Sequence, residues 1–144
     1  MVLVDALHLA FLMGLFFFAV LAWRWSWEGR RREGFEVAFE VLDGPQRGER
    51  FPLTRFPALI GRGKRGPRKA VALEDCPEHR RISRRHARVE ERQGRFFLVD
   101  VGSKNGTRLN GQQLVPHRPY PLTNGDEVLL AEEIRLRFHG GPQG

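Results

Sequence analysis

The alternation of apolar and polar positions changes its rhythm once along the chain, near residue 34. Before that point, Ala6 to Trp23 (ALHLAFLMGLFFFAVLAW) is apolar apart from His8. These 18 residues fall within the roughly 17–25 that a helix needs to cross a bilayer. The pattern therefore predicts a membrane-spanning helix in residues 1–24. Trp23, Trp25 and Trp27 cluster at its end, as at a lipid–water boundary. Arg24 and the run Arg30-Arg31-Arg32 follow, whereas the leading flank carries Asp5 and no Lys or Arg. Positive flanks stay cytoplasmic, and a cleaved leader would carry its charge ahead of the apolar run. The expectation is a single-pass cell membrane protein, N-terminus outside. A basic linker covers 25–34, and the rest lies in the cytoplasm. The tri-arginine run is also expected to contact anionic lipid.

Beyond residue 34 the period shortens to two. FEVAFEVL (Phe35–Leu42) alternates apolar and charged residues over most of its length, the mark of a strand with one buried face. The turn formers of DGPQRGE follow. RFPLT and ALIGR read as short strands separated by Pro57, and HARVEER alternates again. RFFLVD is a strand after a turn at Gln93-Gly94, and DEVLLA and IRLRFH make a closing pair that meets around Glu132-Glu133. Asn105-Gly106, Asn110-Gly111 and Asn124-Gly125 supply the positive φ angles of tight turns. No window here supports a helix longer than about two turns. The fold class is all-β, a sandwich or barrel, over residues 35–139, with a flexible tail at 140–144.

Composition sharpens this picture at two points. The single cysteine, Cys76, excludes an intrachain disulfide and any zinc site built on two cysteines. His79 stands near it without further ligands at metal spacing, so neither metal nor cofactor is expected. The net charge is +7, and its location matters more than its size. Between Arg62 and Arg88 ten basic residues face three acidic ones, which accounts for the whole excess. Such a stretch calls for an anionic partner.

Two catalytic readings fail on chemistry. Gly61, Gly63 and Gly66 have the spacing of a dinucleotide-binding loop, but Pro67-Arg68-Lys69 and then a strand follow, where a helix N-terminus is needed. Ser83 and His86 could pair as nucleophile and base, yet no nucleophile elbow or orienting carboxylate is evident. The chain is not expected to be an enzyme.

Four segments in order, LIGRG, ISRRHARV, VDVGSKNGTRLNG and PLTNGDEVLL, make residues 35–139 resemble the forkhead-associated (FHA) domain. The resemblance implies a β-sandwich of about eleven short strands whose loops at one end bind phosphothreonine. Arg62 matches the arginine that contacts phosphate, Ser83 the serine that donates to it, and Arg84 a frequent further contact. Asn105 resembles the asparagine that holds the ligand backbone. Gly61, His86 and Gly106 match loop-shaping positions. The pattern departs in two places. Lys104 stands where many members have Thr or Ser, keeping a donor and adding charge. Gly63 to Ile82 is longer and more basic than usual, which suits a preference for acidic residues near the phosphosite or a cover over the pocket.

The resulting expectation is a membrane-anchored phosphothreonine-peptide adaptor that docks partners of a Ser/Thr kinase. Two alternatives stand beside it. One is a phosphate-independent scaffold. The other is anionic-lipid or nucleic-acid binding through residues 62–88, although no aromatics are interleaved there for stacking on bases, and nucleic acid is not expected.

Overall fold

The computed structural model describes residues 36–140. Eleven strands run in chain order: β1 (Ala38–Val41), β2 (Arg50–Pro52), β3 (Ala58–Arg62), β4 (Lys69–Leu73), β5 (Ala87–Arg92), β6 (Arg95–Asp100), β7 (Thr107–Leu109), β8 (Gln112–Gln113), β9 (Tyr120–Leu122), β10 (Glu127–Leu130) and β11 (Ile134–His139). A 3₁₀ turn, Pro77–His79, is the one helical element among the described residues. One sheet has the order β2-β1-β11-β10-β7-β8, the other β4-β3-β5-β6-β9. The all-β class and the short helix content agree with the sequence pattern, and the strand number with what the family resemblance implies.

Alternation explains the layering. In IRLRFH, Ile134, Leu136 and Phe138 are buried while Arg135 points to solvent. Phe138 of the first sheet lies 5.3 Å, ring to ring, from Phe39 on β1 and 5.5 Å from Phe96 on β6 of the second. Tilted aromatic pairs at this spacing are favourable beyond their buried area. Ile60, Leu98, Leu130 and Leu136 complete the core between the sheets. Gln93 and Gly94 take φ of 52° and 75°, and Asn110 and Gly111 take 49° and 82°. These paired positive angles close the β5–β6 and β7–β8 hairpins with the twist that two-residue turns require. Ala131 and Glu132 also take positive φ, 54° and 58°, without glycine, in the three-residue connection 131–133 between β10 and β11, which includes the expected Glu132-Glu133.

The single-pass membrane location is corrected. Among the described residues no helix is long and apolar enough to cross a membrane. The described residues are built from strands of at most six residues and one helical element of three, so they contain no such helix. The apolar run 6–23, the helix assigned to 1–24, the linker 25–34 and residues 141–144 lie outside the described residues.

Candidate functional site

Three segments converge where strands end. The first is the end of β3, Gly61-Arg62. A Cβ on Gly61 would sit 2.2 Å from the carbonyl oxygen of Arg84 and 2.9 Å from that of Ser83. Glycine is required by this close backbone approach, not by an unusual φ. The approach lets Arg62 N–H donate to the Ser83 carbonyl at 3.1 Å, and His86 N–H to that of Ile60 at 2.9 Å.

His86 joins the second segment, Ser83 to His86, to the third, Val101 to Gly106. It is fully buried. Its Nδ1 accepts from Ser83 N–H at 3.1 Å, so the proton resides on Nε2, which donates to the Gly106 carbonyl at 2.8 Å. Burial pushes the imidazole below the ordinary histidine range, against the opposing pull of the Gly106 carbonyl and the Asp100 charge. Both ring nitrogens are committed to backbone groups, and the Ser83 hydroxyl is not among their partners. A Ser–His nucleophile pair is therefore not what this geometry builds. Gly106 itself has φ +86°, and its carbonyl also accepts from Ala131 N–H at 3.0 Å.

The remaining matched residues surround this brace. Ser83 Oγ accepts from Lys104 N–H at 3.1 Å, which leaves the hydroxyl proton free to donate outward. Asn105 Nδ2 donates to the Arg81 carbonyl at 2.7 Å. Lys104 and Arg84 are exposed. Arg62 Nε donates to the Ile82 carbonyl at 3.1 Å, and Nη1 pairs with Asp75. Of the eight residues singled out in the sequence, the seven matches and Lys104, seven take part in these hydrogen bonds or close approaches. The Arg84 side chain joins only through its charge.

Three contributors carried no role in the sequence. Lys69 Nζ donates to the Arg62 carbonyl at 2.8 Å. Burial, then the charges of Arg84 and Arg62, lower its pKa, so a fourth cation joins Arg62, Arg84 and Lys104 in the cluster. Asp75 is its nearby anion. Asp100, at the end of β6, is buried. It accepts from the backbone N–H of Gly102 and of Ser103, each at 2.8 Å, and from the hydroxyls of Ser103 and Thr107, each at 2.6 Å. Burial would raise its pKa, but these hydrogen bonds, led by those from Ser103 and Thr107, outweigh that and lower it. Asp100 thereby holds the loop that presents Lys104 and Asn105. An Asp followed at two and three positions by Gly and Ser is an Asx-turn signal that could have found it. Lys69 and Asp75 have no comparable local signal.

The arrangement is a cationic, donor-rich cluster on rigid loops: guanidinium, hydroxyl and carboxamide within bonded segments. Such groups can bind an anionic, acceptor-rich ligand, of which a phosphate monoester is one. A family model described as FHA domain matches residues 58–131. The oxoglutarate dehydrogenase inhibitor of Corynebacterium diphtheriae is 39% identical over 103 residues, which is 72% of this chain and 64% of the relative. The glycogen accumulation regulator GarA of Mycolicibacterium smegmatis is 39% identical over 103 residues, 72% of this chain and 58% of the relative. The chain thus spans less than two thirds of either relative's length. A solved structure from a structural and functional analysis of phosphothreonine-dependent FHA domain interactions has a TM-score of 0.58 at 25% identity, covering 74% of this chain and 98% of that one.

Proposed function

The chain belongs to the FHA domain family, and from that premise we propose that it is a phosphothreonine-binding adaptor that docks partners phosphorylated by a Ser/Thr kinase. The observation that carries this reading is the junction of Arg62, Ser83 and Lys104. Arg62 N–H and the Ser83 carbonyl are bonded, and the Ser83 hydroxyl is held by Lys104 N–H. One guanidinium and one outward O–H thus stand on adjoining, mutually bonded chain segments.

A phosphothreonine carries about −1.5 to −2 charges and three acceptor oxygens. Arg62 supplies charge-assisted donors, and Ser83 a hydroxyl donor. Arg84, Lys69 and Lys104 supply further positive potential. Asn105, anchored to the Arg81 carbonyl, holds the ligand backbone beside the phosphoresidue. His86, Gly61 and Gly106 keep these groups in place before the ligand arrives, so little ordering cost remains at binding. One relative is an oxoglutarate dehydrogenase inhibitor and the other a glycogen accumulation regulator. The first supports a chain that controls an enzyme by binding, and the second a regulatory role.

Calorimetric titration of the full chain with a phosphothreonine peptide library and its unphosphorylated copies tests this. Binding confined to the phosphorylated peptides is expected. Arg62→Ala should lower affinity about tenfold or more, since a hydrogen bond to a charged group is worth roughly 1.5–3 kcal/mol. Arg65→Ala, in the same basic stretch but outside the bonded cluster, should matter far less. Equal losses would make the site a diffuse basic patch and end the pocket reading.

A further inference from the structure

We propose that Asp75 is an internal competitor for Arg62, an affinity-setting residue that occupies part of the phosphate-binding guanidinium until a ligand displaces it; this rests on the phosphothreonine reading above. Four cations serve the cluster: Arg62, Lys69, Arg84 and Lys104. Of these four, only Arg62 has an ion-pair partner among the described residues, and that partner is Asp75. The anion is therefore placed on the one cation whose donors the phosphate needs most.

The pair is built into the fold. Asp75 follows β4, on a segment held from both sides. Glu74 N–H donates to Gln46 Oε1 at 2.8 Å. The Glu74 carbonyl accepts from Nδ1 of the fully buried His79 at 2.9 Å. The segment then returns to Arg62 a second time, through the Ile82 carbonyl on Nε. One stretch of chain thus delivers two acceptors to the guanidinium: a backbone carbonyl tied into the loop and a carboxylate on a rotatable side chain.

Of the two, the carboxylate can leave. The Arg62 side chain is 19% exposed and that of Asp75 58%. Asp75 also borders an open groove of about 430 Å³, shared with Gly63, Lys64, Arg65 and Glu74, which gives the carboxylate room to rotate away. A phosphate dianion brings more charge and more acceptor oxygens than the carboxylate it replaces. Nothing covalent changes in this exchange.

The consequence is quantitative. If only the unpaired form of Arg62 binds fully, the apparent Kd is the intrinsic Kd divided by the unpaired fraction. That fraction belongs to the protein, so it scales every ligand of Arg62 equally and leaves their ranking unchanged. Pairs this exposed are weak, so the factor is modest, about threefold to tenfold.

The test titrates the full-length wild type, Asp75→Asn, Arg62→Ala and the double variant with one phosphothreonine peptide, and the first two with inorganic phosphate. Asp75→Asn should bind the peptide about threefold to tenfold more tightly, with the same factor for inorganic phosphate. Removing the competitor should gain nothing once Arg62 is gone, so Arg62→Ala and the double variant should bind equally weakly. Weaker binding by Asp75→Asn would mean that the carboxylate positions Arg62, and would overturn the proposal. Unchanged binding would overturn it too, as would different factors for the two ligands. Failure of the pocket reading is separate: wild type would then bind phosphorylated and unphosphorylated peptides alike.

Discussion

Replacing Asp100 by Asn should destabilise the fold and loosen the loop that carries Lys104 and Asn105. The side chains are nearly the same shape, so the change isolates charge and hydrogen-bond polarity. In the wild type one buried carboxylate accepts four hydrogen bonds, two from backbone N–H and two from hydroxyls. Asn keeps one acceptor oxygen and turns the other position into a donor, which faces the Ser103 and Thr107 hydroxyls. Those hydroxyls can rotate to accept, but Ser103 Oγ already accepts from Gly106 N–H at 3.0 Å. A bond to a charged acceptor contributes roughly 1.5–3 kcal/mol against about 0.5–1.5 for a neutral one. Weakening four such bonds by about 0.5–1 kcal/mol each gives a loss of about 2–4 kcal/mol, a large share of the roughly 5–15 kcal/mol of a typical domain. Urea denaturation followed by far-UV circular dichroism reads this directly. Tryptophan fluorescence does not suit, because all three tryptophans precede residue 36. Because the folded pKa of Asp100 is depressed, its contribution is complete above the unfolded value near 3.9 and is lost as pH falls through the folded value. The gap between wild type and variant should therefore close only in strong acid. A midpoint shift worth less than about 0.5 kcal/mol at pH 7, the scale of an ordinary surface change, would refute the reasoning.

Two further substitutions probe the brace. Gly61→Ala forces a methyl to within 2.2 Å of a backbone oxygen. The Ser83-Arg84 segment must move, so phosphopeptide affinity should collapse, with stability falling by roughly 1–3 kcal/mol as for overpacking; wild-type titration curves would contradict this. His86→Gln removes both ring contacts and should cost about 2 kcal/mol near pH 7.5. Since burial lowers the folded pKa of His86, the unfolded chain takes up its proton first, and the stability held by the neutral ring is lost as pH falls from about 6.5 through the folded value. The difference between wild type and His86→Gln in urea midpoint should shrink toward pH 5; a constant difference from pH 7.5 to 5 would show that the ring is not held neutral.

Strand identity and the hairpin turns were legible in the chain itself, because they depend on neighbours two residues apart and on local φ. IRLRFH announces which of its faces is buried, and Gln93-Gly94 and Asn110-Gly111 announce reversals. The ordered segments around Arg62, Ser83, His86 and Asn105 were legible for the same reason: each is a short local pattern. β7 is only three residues long, and a single buried-exposed-buried step carries no period that would mark it as a strand. The apolar run 6–23 satisfied the length and hydropathy of a crossing helix, but those properties describe a stretch of chain and not a structure, and no described helix supports the membrane location. Tertiary structure alone decided the partners of Arg62. The residues that meet it, Lys69, Asp75 and Ile82, lie 7, 13 and 20 positions away in sequence. Their meeting depends on β4 pairing in parallel with β3 and on the following segment folding back over the strand end. Hydrophobic periodicity sets which face of each strand is buried, but it carries no information on which loop, entering from another strand, will bring its charge to a given guanidinium.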